Sequence, residues 1–538
     1  MLAIALVLGI TIGLKLQPVS AGSGLISSKE GNRSGRVEEL IRYIENKYVD
    51  EVDRDALVDK AIESVLAELD PHSSYIPAED FARTDEQMRG NFDGIGVEFM
   101  VLEDTVVIIS PLPDGPSDQV GILAGDRIVM VGDSLIAGVN ITSDQITEYL
   151  KGERGTKVEV GILREGESEL RRFTITRGRI PVNSVDASYM IDDKIGYVRI
   201  NRFSATTHKE FMDALTDLVE KQGMTDLIID LRQNPGGYLN EATRMLNQLF
   251  EDRSKLLVYT DGRTVGRNDY ETNGSNALPV EDIAVLINEG SASASEIMAG
   301  AIQDHDRGVI VGRRSFGKGL VQEQYELRDG SALRLTVAHY FTPSGRSIQK
   351  PYDDREGYDN DLSIRYQNGE LSNNTAVALS DSTEYLTAGN RTVYGGGGIT
   401  PDVFVPVDSL QYDTNFLKIR QPILEHSFRY TRRIAREVET MDAESFIRNF
   451  RVSRAEVDRY LDFVREREIQ FDESTIEKFY LPLARELKAR VGRQLYGESV
   501  FFQILNQDDE MVLKAIEVLK QNVPVSAMNG APTTTGRE

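Results

Sequence analysis

The sequence predicts an α/β layered core that carries an inserted β-rich module and is flanked by helical regions. Three observations lead there. Residues 193–313 alternate short, largely apolar runs with stretches of helical period, the pattern of buried strands between helices. Residues 92–178 change character to short β-rich runs separated by turns. From about 410 to 521 the apolar positions follow a helical period throughout.

Taken in order, residues 2–14 (LAIALVLGITIGL) are apolar and uncharged until Lys15, and Ser20, Ala21 and Gly22 follow. That length and those small residues predict a signal peptide or membrane anchor over 1–22, and hence an exported protein of the periplasm or cell envelope. Residues 36–85 form an N-terminal helical region. Leu40, Ile41, Ile44, Leu57, Ala61 and Val65 mark two helices broken near 49–53, and the turn-rich link LDPHSSYIPAEDF follows at 69–81. The module spans 86–180 and reads GIGVEFM, TVVIIS, DRIVMVGD, KVEVGILREG and RRFTITRG, with one helix at 143–150. The core spans 181–350, with strands KIGYVRI (194–200), DLIIDLR (226–232), IAVLI (283–287) and GVIVG (308–312). Residues 351–398 are polar, end in four glycines at 395–398 and predict an insertion or long loop. A last core strand is expected within 399–409, at DVFVPV (402–407). In the helical region 410–522, Ser453-x-x-Glu456 and Ser474-x-x-Glu477 match capping boxes, and 523–538 is expected to be a disordered tail.

Composition narrows the function classes. The chain has 538 residues, a net charge of −25 and no cysteine. Clustered cations for phosphate contacts are lacking, so no nucleic-acid partner is expected. Without cysteine there is no disulfide, thiolate zinc site or thiol nucleophile, and no HExxH or Cys/His cluster is present. No metal or cofactor is expected.

Chemistry concentrates in three glycine-bearing segments. In NEGSASASEIMAG (288–300) a strand ends, a tight turn follows, and a helix begins within the serines. A hydroxyl at a helix N-terminus lies beside free N–H groups that can hold an oxyanion. The plainer reading is Ser293-x-x-Glu296 as a capping box, and the residues alone do not choose among Ser291, Ser293 and Ser295. The five histidines are scattered, and His305 is expected past the far end of the same helix. The other candidate base is Lys318 in RRSFGKGLVQ (313–322), whose ordinary pKa near 10.4 burial must depress. Gly312-x-x-x-x-Gly317-Lys318 has a phosphate-loop skeleton, but Gly319 stands where a hydroxyl must ligate magnesium. Ser315-x-x-Lys318 recurs as Ser347-x-x-Lys350 and is near chance. The third segment, DLRQNPGGYL (230–239), is strand, then Gly236–Gly237, then helix, and can present an N–H at the same sheet edge.

The order GIGVEF, DLRQNPGG, GSASASEI, GRRSFGKGLVQ, FTPSGRSIQ resembles the C-terminal processing (tail-specific) proteases of peptidase family S41, from about LDPHSSYI to ITPDVFV. The resemblance implies a ClpP/crotonase-like α/β protease core with an inserted PDZ domain. It implies Ser293 as nucleophile, Lys318, 25 residues on, as general base, and Gln322 as the group orienting the lysine. The backbone N–H groups of Ala294, Gly236 and Gly237 would form the oxyanion hole. In the PDZ domain, Ile95, Gly96 and Val97 would hold a terminal carboxylate, with Ile146 and Tyr149 lining the peptide groove. The expected partners are proteins or peptides bound through their C-terminal tails, with a second copy or an adaptor at the C-terminal helices. The rival readings are a catalytically inactive PDZ scaffold and, more remotely, a nucleotide-binding α/β protein.

Overall fold

The computed structural model describes residues 35–275, 278–373 and 383–521. The expected signal segment 1–22 and tail 523–538 lie outside them. Helices α1 (Arg36–Lys47) and α2 (Arg54–Ala67) open the chain, the second capped by Asp53, which accepts from Asp55 and Ala56 N–H. Strand β1 (Ser74–Ile76) and helix α3 (Ala78–Arg89) follow. A two-stranded antiparallel ribbon, Asn91–Gly94 against Gly178–Pro181, then frames the β-rich module.

Within the module, β2 (Val97–Leu102) is one edge of an antiparallel sheet, and helix α4 (Ser143–Leu150) packs on it behind a reciprocal Thr142–Gln145 capping box. Val106, Ile108, Ile128, Val160 and Ile162 are fully buried in a core of its own.

The main core is a six-stranded sheet. Edge strand β3 (Val185–Met190) is antiparallel to β4 (Ile195–Ile200); β5 (Asp226–Asp230), β8 (Ile283–Ile287), β9 (Val309–Gly312) and the terminal β12 (Val403–Phe404) then continue it in parallel. Helices α5 (Thr207–Thr216), α6 (Leu239–Leu249) and α7 (Ala294–Asp304) cover one face. Because side chains alternate along a strand, Val285 and Ile287 join those helices while Ala284 and Leu286 face the other way. A second, wholly antiparallel sheet holds β6 (Arg253–Asp261), β7 (Asn268–Asn273), β10 (Leu320–Glu326), β11 (Ala332–Phe341) and β1. The sequence reading passed over this sheet, whose strands are largely polar and half-exposed.

The opposite face of the main sheet is covered from the far end of the chain. Helix α11 (Glu510–Gln521) lays Met511, Val512, Ala515 and Leu519 on Ile228, Ala284, Leu286 and Val311. The C-terminal extension therefore includes a structural layer of the core. Between β12 and α11 the chain forms a helical unit. In it, α8 (Ile423–Val438), α9 (Tyr480–Tyr496) and α10 (Glu498–Leu505) touch both core and module. Arg429 meets Glu103 at 3.0 Å and Arg493 meets Glu98 at 2.8 Å; Arg432 pairs with Glu165.

Two expectations are corrected. Residues 351–373 and 383–398 are not a long loop: they hold the short helices Arg355–Asp359 and Asp361–Gln367 and the strand pair Glu384–Leu386 and Thr392–Tyr394, with Arg365 and Glu370 buried against Arg314 and Arg391 bridging Asp306 and Asp402. Their polarity satisfies buried charge. Ser474 caps nothing, because Asp472, two residues earlier, accepts its N–H and opens the short helix Glu473–Phe479. Ser453 does cap Arg454–Glu466, but the Glu456 side chain turns instead to His426, Arg433 and Arg459.

Val512 is 1% exposed and Leu513, next to it, is 46% exposed. Val512→Asp buries an unpaired carboxylate against the main sheet and is expected to cost about 3–5 kcal/mol, read as a loss of thermal midpoint, while Leu513→Asp stays within about 0.5 kcal/mol.

Candidate active site

The three serines at the entry to α7 have different fates. Ser291 is buried and its Oγ donates to Leu231 O at 2.8 Å; Ser295 is buried and its Oγ donates to Asn234 O at 2.9 Å. Ser293 is partly exposed, and its hydroxyl donates to no acceptor among the described residues. Its backbone sits at φ 56°, ψ −114°, a conformation that L-residues avoid. Such strain persists only where surrounding bonds over-determine it, and here they do.

The strongest of these bonds come from Glu296, 0% exposed. Its carboxylate accepts from Ser293 N at 2.8 Å, Ser315 Oγ at 2.5 Å, Gly317 N at 2.7 Å and Lys318 N at 2.9 Å. Burial pushes its pKa up to about 7 while those four donors hold it down. Tyr340 ties the same two residues from the other side, its hydroxyl reaching Ser293 O at 3.1 Å and Lys318 O at 2.6 Å. Ser293 and Lys318 are thus clamped side by side through both their N–H and their C=O groups. Burial lowers the Lys318 pKa to about 8, helped by the Arg334 charge and opposed by Glu296 and Asp70. Its ammonium lies within salt-bridge distance of no carboxylate among the described residues.

The glycine turn after β5 completes the site. A Cβ on Gly236 would stand 2.7 Å from Ser293 Cβ and 2.9 Å from Ala294 N, so only glycine lets this loop close on the serine turn. Asn234 secures it: its backbone O accepts from Ala292 N at 3.0 Å and its side chain donates to Ile200 O at 2.9 Å. Asn234 Oδ1 also takes the Gly236 N–H at 2.9 Å, which removes Gly236 from the expected oxyanion donors. The N–H groups of Gly237 and Ala294 have no acceptor among the described residues.

The remaining expectations sort by distance from this centre. Gln322 does not bond Lys318; its amide donates to Thr336 Oγ1 at 3.3 Å, and Thr336 in turn donates to Asp70 at 3.1 Å. The link LDPHSS thereby becomes a wall of the site. His72 lies close enough to Lys318 to feel its charge, and burial first, then that charge, lowers its pKa to about 4; its Nε2 is engaged by Tyr358 OH at 2.7 Å. His305 caps the far end of α7. Ser315 is buried on Glu296, and a strand rather than a helix follows Lys318, so neither the phosphate-loop nor the S-x-x-K pattern describes this segment. Among the described residues no cluster suits a metal ion.

In the module, Gly96 takes φ 70° and Ile95 O accepts from Ser117 N and Oγ. Val97 opens the edge strand β2. Ile146 is 0% exposed within the module core, so it lines no open groove in this conformation; Tyr149 is 43% exposed and borders a surface cavity with Leu135 and Val139.

The sequence reading saw Glu296 only as half of a capping box and missed Tyr340 and Asp70. A lone carboxylate in the otherwise apolar helix start EIMAGAI was the available signal for Glu296.

Comparison with known proteins identifies the family. The model of peptidase family S41 matches residues 194–364 and that of the PDZ domain matches 94–176. The carboxy-terminal-processing protease of Bartonella bacilliformis is 36% identical over 62% of this chain and 76% of that one. The chain belongs to peptidase family S41. Within that family it is a carboxy-terminal processing protease, a serine-type peptidase, with the α/β core and inserted PDZ domain of the group. The carboxy-terminal processing protease CtpA of Bacillus subtilis is 33% identical over 62% of this chain and 71% of that one. A solved photosystem II D1 C-terminal processing protease is 31% identical, covers 58% of this chain and 89% of its own, and superposes with a TM-score of 0.33. Part of the helical unit, residues 415–497, matches a family of unknown function (DUF8443).

Glu296→Gln replaces one acceptor oxygen by a donor among four donors. The substitution is expected to cost about 2–4 kcal/mol of stability and to lower turnover with it, measured by thermal unfolding and peptide cleavage on the same sample.

Proposed function

We propose that this protease is exported and works by a Ser293–Lys318 mechanism on proteins whose unstructured C-terminal tails are captured by the PDZ domain. The observation that carries the reading is the paired clamp: one buried carboxylate and one tyrosine hydroxyl hold the strained, open serine beside a half-buried lysine. Ser293 Oγ attacks the scissile carbonyl and its proton passes to neutral Lys318. The oxyanion is received by the N–H groups of Ala294 and Gly237. The amine leaves with a proton from Lys318, and water, deprotonated by the same lysine, then hydrolyses the acyl-enzyme. Gln322, which bonds Thr336 here, is proposed to turn to the Lys318 amine and orient it once substrate is bound.

Tail capture is supported by the positive-φ Gly96 loop and by β2, which has a sheet partner on one side only and can accept a peptide as an added strand. Export rests on residues 2–22 of the sequence. No helix among the described residues is long and apolar enough to cross a membrane.

Ser293→Ala is expected to abolish cleavage of a tailed substrate and Lys318→Ala to slow it about 10²–10⁴-fold; retention of full activity in either refutes the assignment. The acylation rate should climb with pH up to about 8 and then level, because only neutral lysine accepts the proton and burial sets its pKa there. A profile flat across that interval contradicts a lysine base. Amidating the C-terminus of the substrate should weaken its capture about tenfold or more, read by titrating an inactive Ser293→Ala enzyme with both forms.

A further inference from the structure

Strand β11 lines the catalytic centre. Tyr340 reaches Ser293 and Lys318; a bulge in the pairing with β10 separates it from Thr336, which bonds Gln322 and Asp70. Arg334, two residues before Thr336 with no bulge between them, shares the Thr336 face. Opposite it across the ladder stand Gln324 on β10 and Ser74 on β1. The guanidinium is partly buried, and its one hydrogen bond among the described residues is a 3.3 Å contact from Nη2 to Gln324 Oε1. It lies within salt-bridge distance of no carboxylate among them. The contrast with its neighbours is sharp: Arg313, Arg314, Arg346, Arg365 and Arg391 all meet a carboxylate directly.

Two groups feel the Arg334 charge. One is Lys318; the other is Tyr238, which directly follows the Gly236–Gly237 turn and also feels Asp85 and Arg89 from α3. Asp85 is itself engaged by Arg89 at 2.6 Å. Arg334 thus stands next to the Thr336–Gln322–Asp70 chain with most of its N–H donors unspent.

We propose that Arg334 is a specificity-determining residue that binds a carboxylate of the substrate in the cleft beside Lys318. A planar guanidinium with free donors matches a carboxylate bidentately. The carboxylate has two sources, an acidic side chain near the cleaved bond or the free C-terminus of a short tail. This inference rests on the Ser–Lys reading and deepens it. Arg334 has a second consequence: it is a cation facing Lys318, along with Glu296, Asp70 and His72, and it favours the neutral lysine.

The test uses the full-length enzyme and quenched-fluorescent peptides in which a single Glu or Gln is moved position by position around the scissile bond. Each peptide is made with a free and with an amidated C-terminus. For wild type, kcat/KM is expected to favour the carboxylate about tenfold or more at one position, or for the free terminus, which separates the two sources. In Arg334→Gln the Glu/Gln ratio should fall to near one, and the free/amidated ratio should fall about tenfold, to what the PDZ domain alone supplies; Arg334→Lys should keep part of either preference. The PDZ domain is the same in all three enzymes, so its contribution cancels when their ratios are compared. The pH midpoint of kcat/KM should move upward in Arg334→Gln, since a cation that favours neutral lysine is gone.

A wild type with no carboxylate preference, or an Arg334→Gln enzyme that keeps it, overturns the proposal. So does an equal loss on all peptides with an unmoved pH midpoint, the mark of a purely structural residue. Should Arg334→Gln fail to fold, Arg334→Lys and the wild-type scan decide. A Ser293→Ala enzyme that still cleaves defeats the Ser–Lys reading, whereas an inactive Ser293→Ala beside an unchanged Glu/Gln ratio defeats only the role of Arg334.

Discussion

A single carboxylate, taken fully out of water, organises the catalytic end of this molecule. Glu296 collects donors from the serine turn, from Ser315 and from the two residues Gly317 and Lys318. Burying a carboxylate is strongly unfavourable unless its oxygens are satisfied, and that requirement works in both directions. The two loops must close on Glu296 to satisfy it, and once closed they fix Ser293 at φ 56° beside a desolvated lysine. The strain at the serine and the depressed lysine pKa follow from one cause.

That precision needs a rigid support, and the support is spread across the sequence. β8 and β9 end at the serine turn and the lysine loop, and both are buried on two faces. One face is filled by nearby helices; the other waits for α11, more than two hundred residues later. Asp509, just before α11, also meets Arg232 at 2.7 Å, next to the oxyanion loop. The helical unit is consequently tied to the catalytic strands as well as to the PDZ domain.

Legibility in the sequence followed burial. The runs IAVLI and GVIVG announced themselves because strands buried on both faces are continuously apolar. The antiparallel second sheet did not, since half of each strand is polar and the register is set by distant partners. Motif order placed Ser293 and Lys318, but choosing Ser293 on physical grounds needed the structure, which shows Ser291 and Ser295 buried with their hydroxyls bonded to backbone carbonyls. Gly236 was misjudged as an oxyanion donor because its N–H is consumed by Asn234, two residues away, a side-chain turn that spacing alone does not reveal. The polarity of 351–398 suggested an insertion or long loop, whereas Arg365, Glu370 and Arg391 serve buried ion pairs.

The ribbon of Asn91–Gly94 and Gly178–Pro181 has an architectural meaning. It brings the chain's departure from the core and its return within one strand spacing, about 5 Å. Closure of the intervening loop is thereby settled locally, and closure entropy grows only slowly with the length of what is enclosed. To the protease the PDZ domain is a cartridge held at its neck. Its other attachments include ion pairs of Glu98, Glu103 and Glu165 with arginines of the helical unit and of Lys151 and Asp144 with α3, most of them partly or largely exposed, of the kind worth about 0–1 kcal/mol each. A lineage could exchange the tail-reading module for another whose ends lie equally close, and the catalytic core would have nothing to relearn.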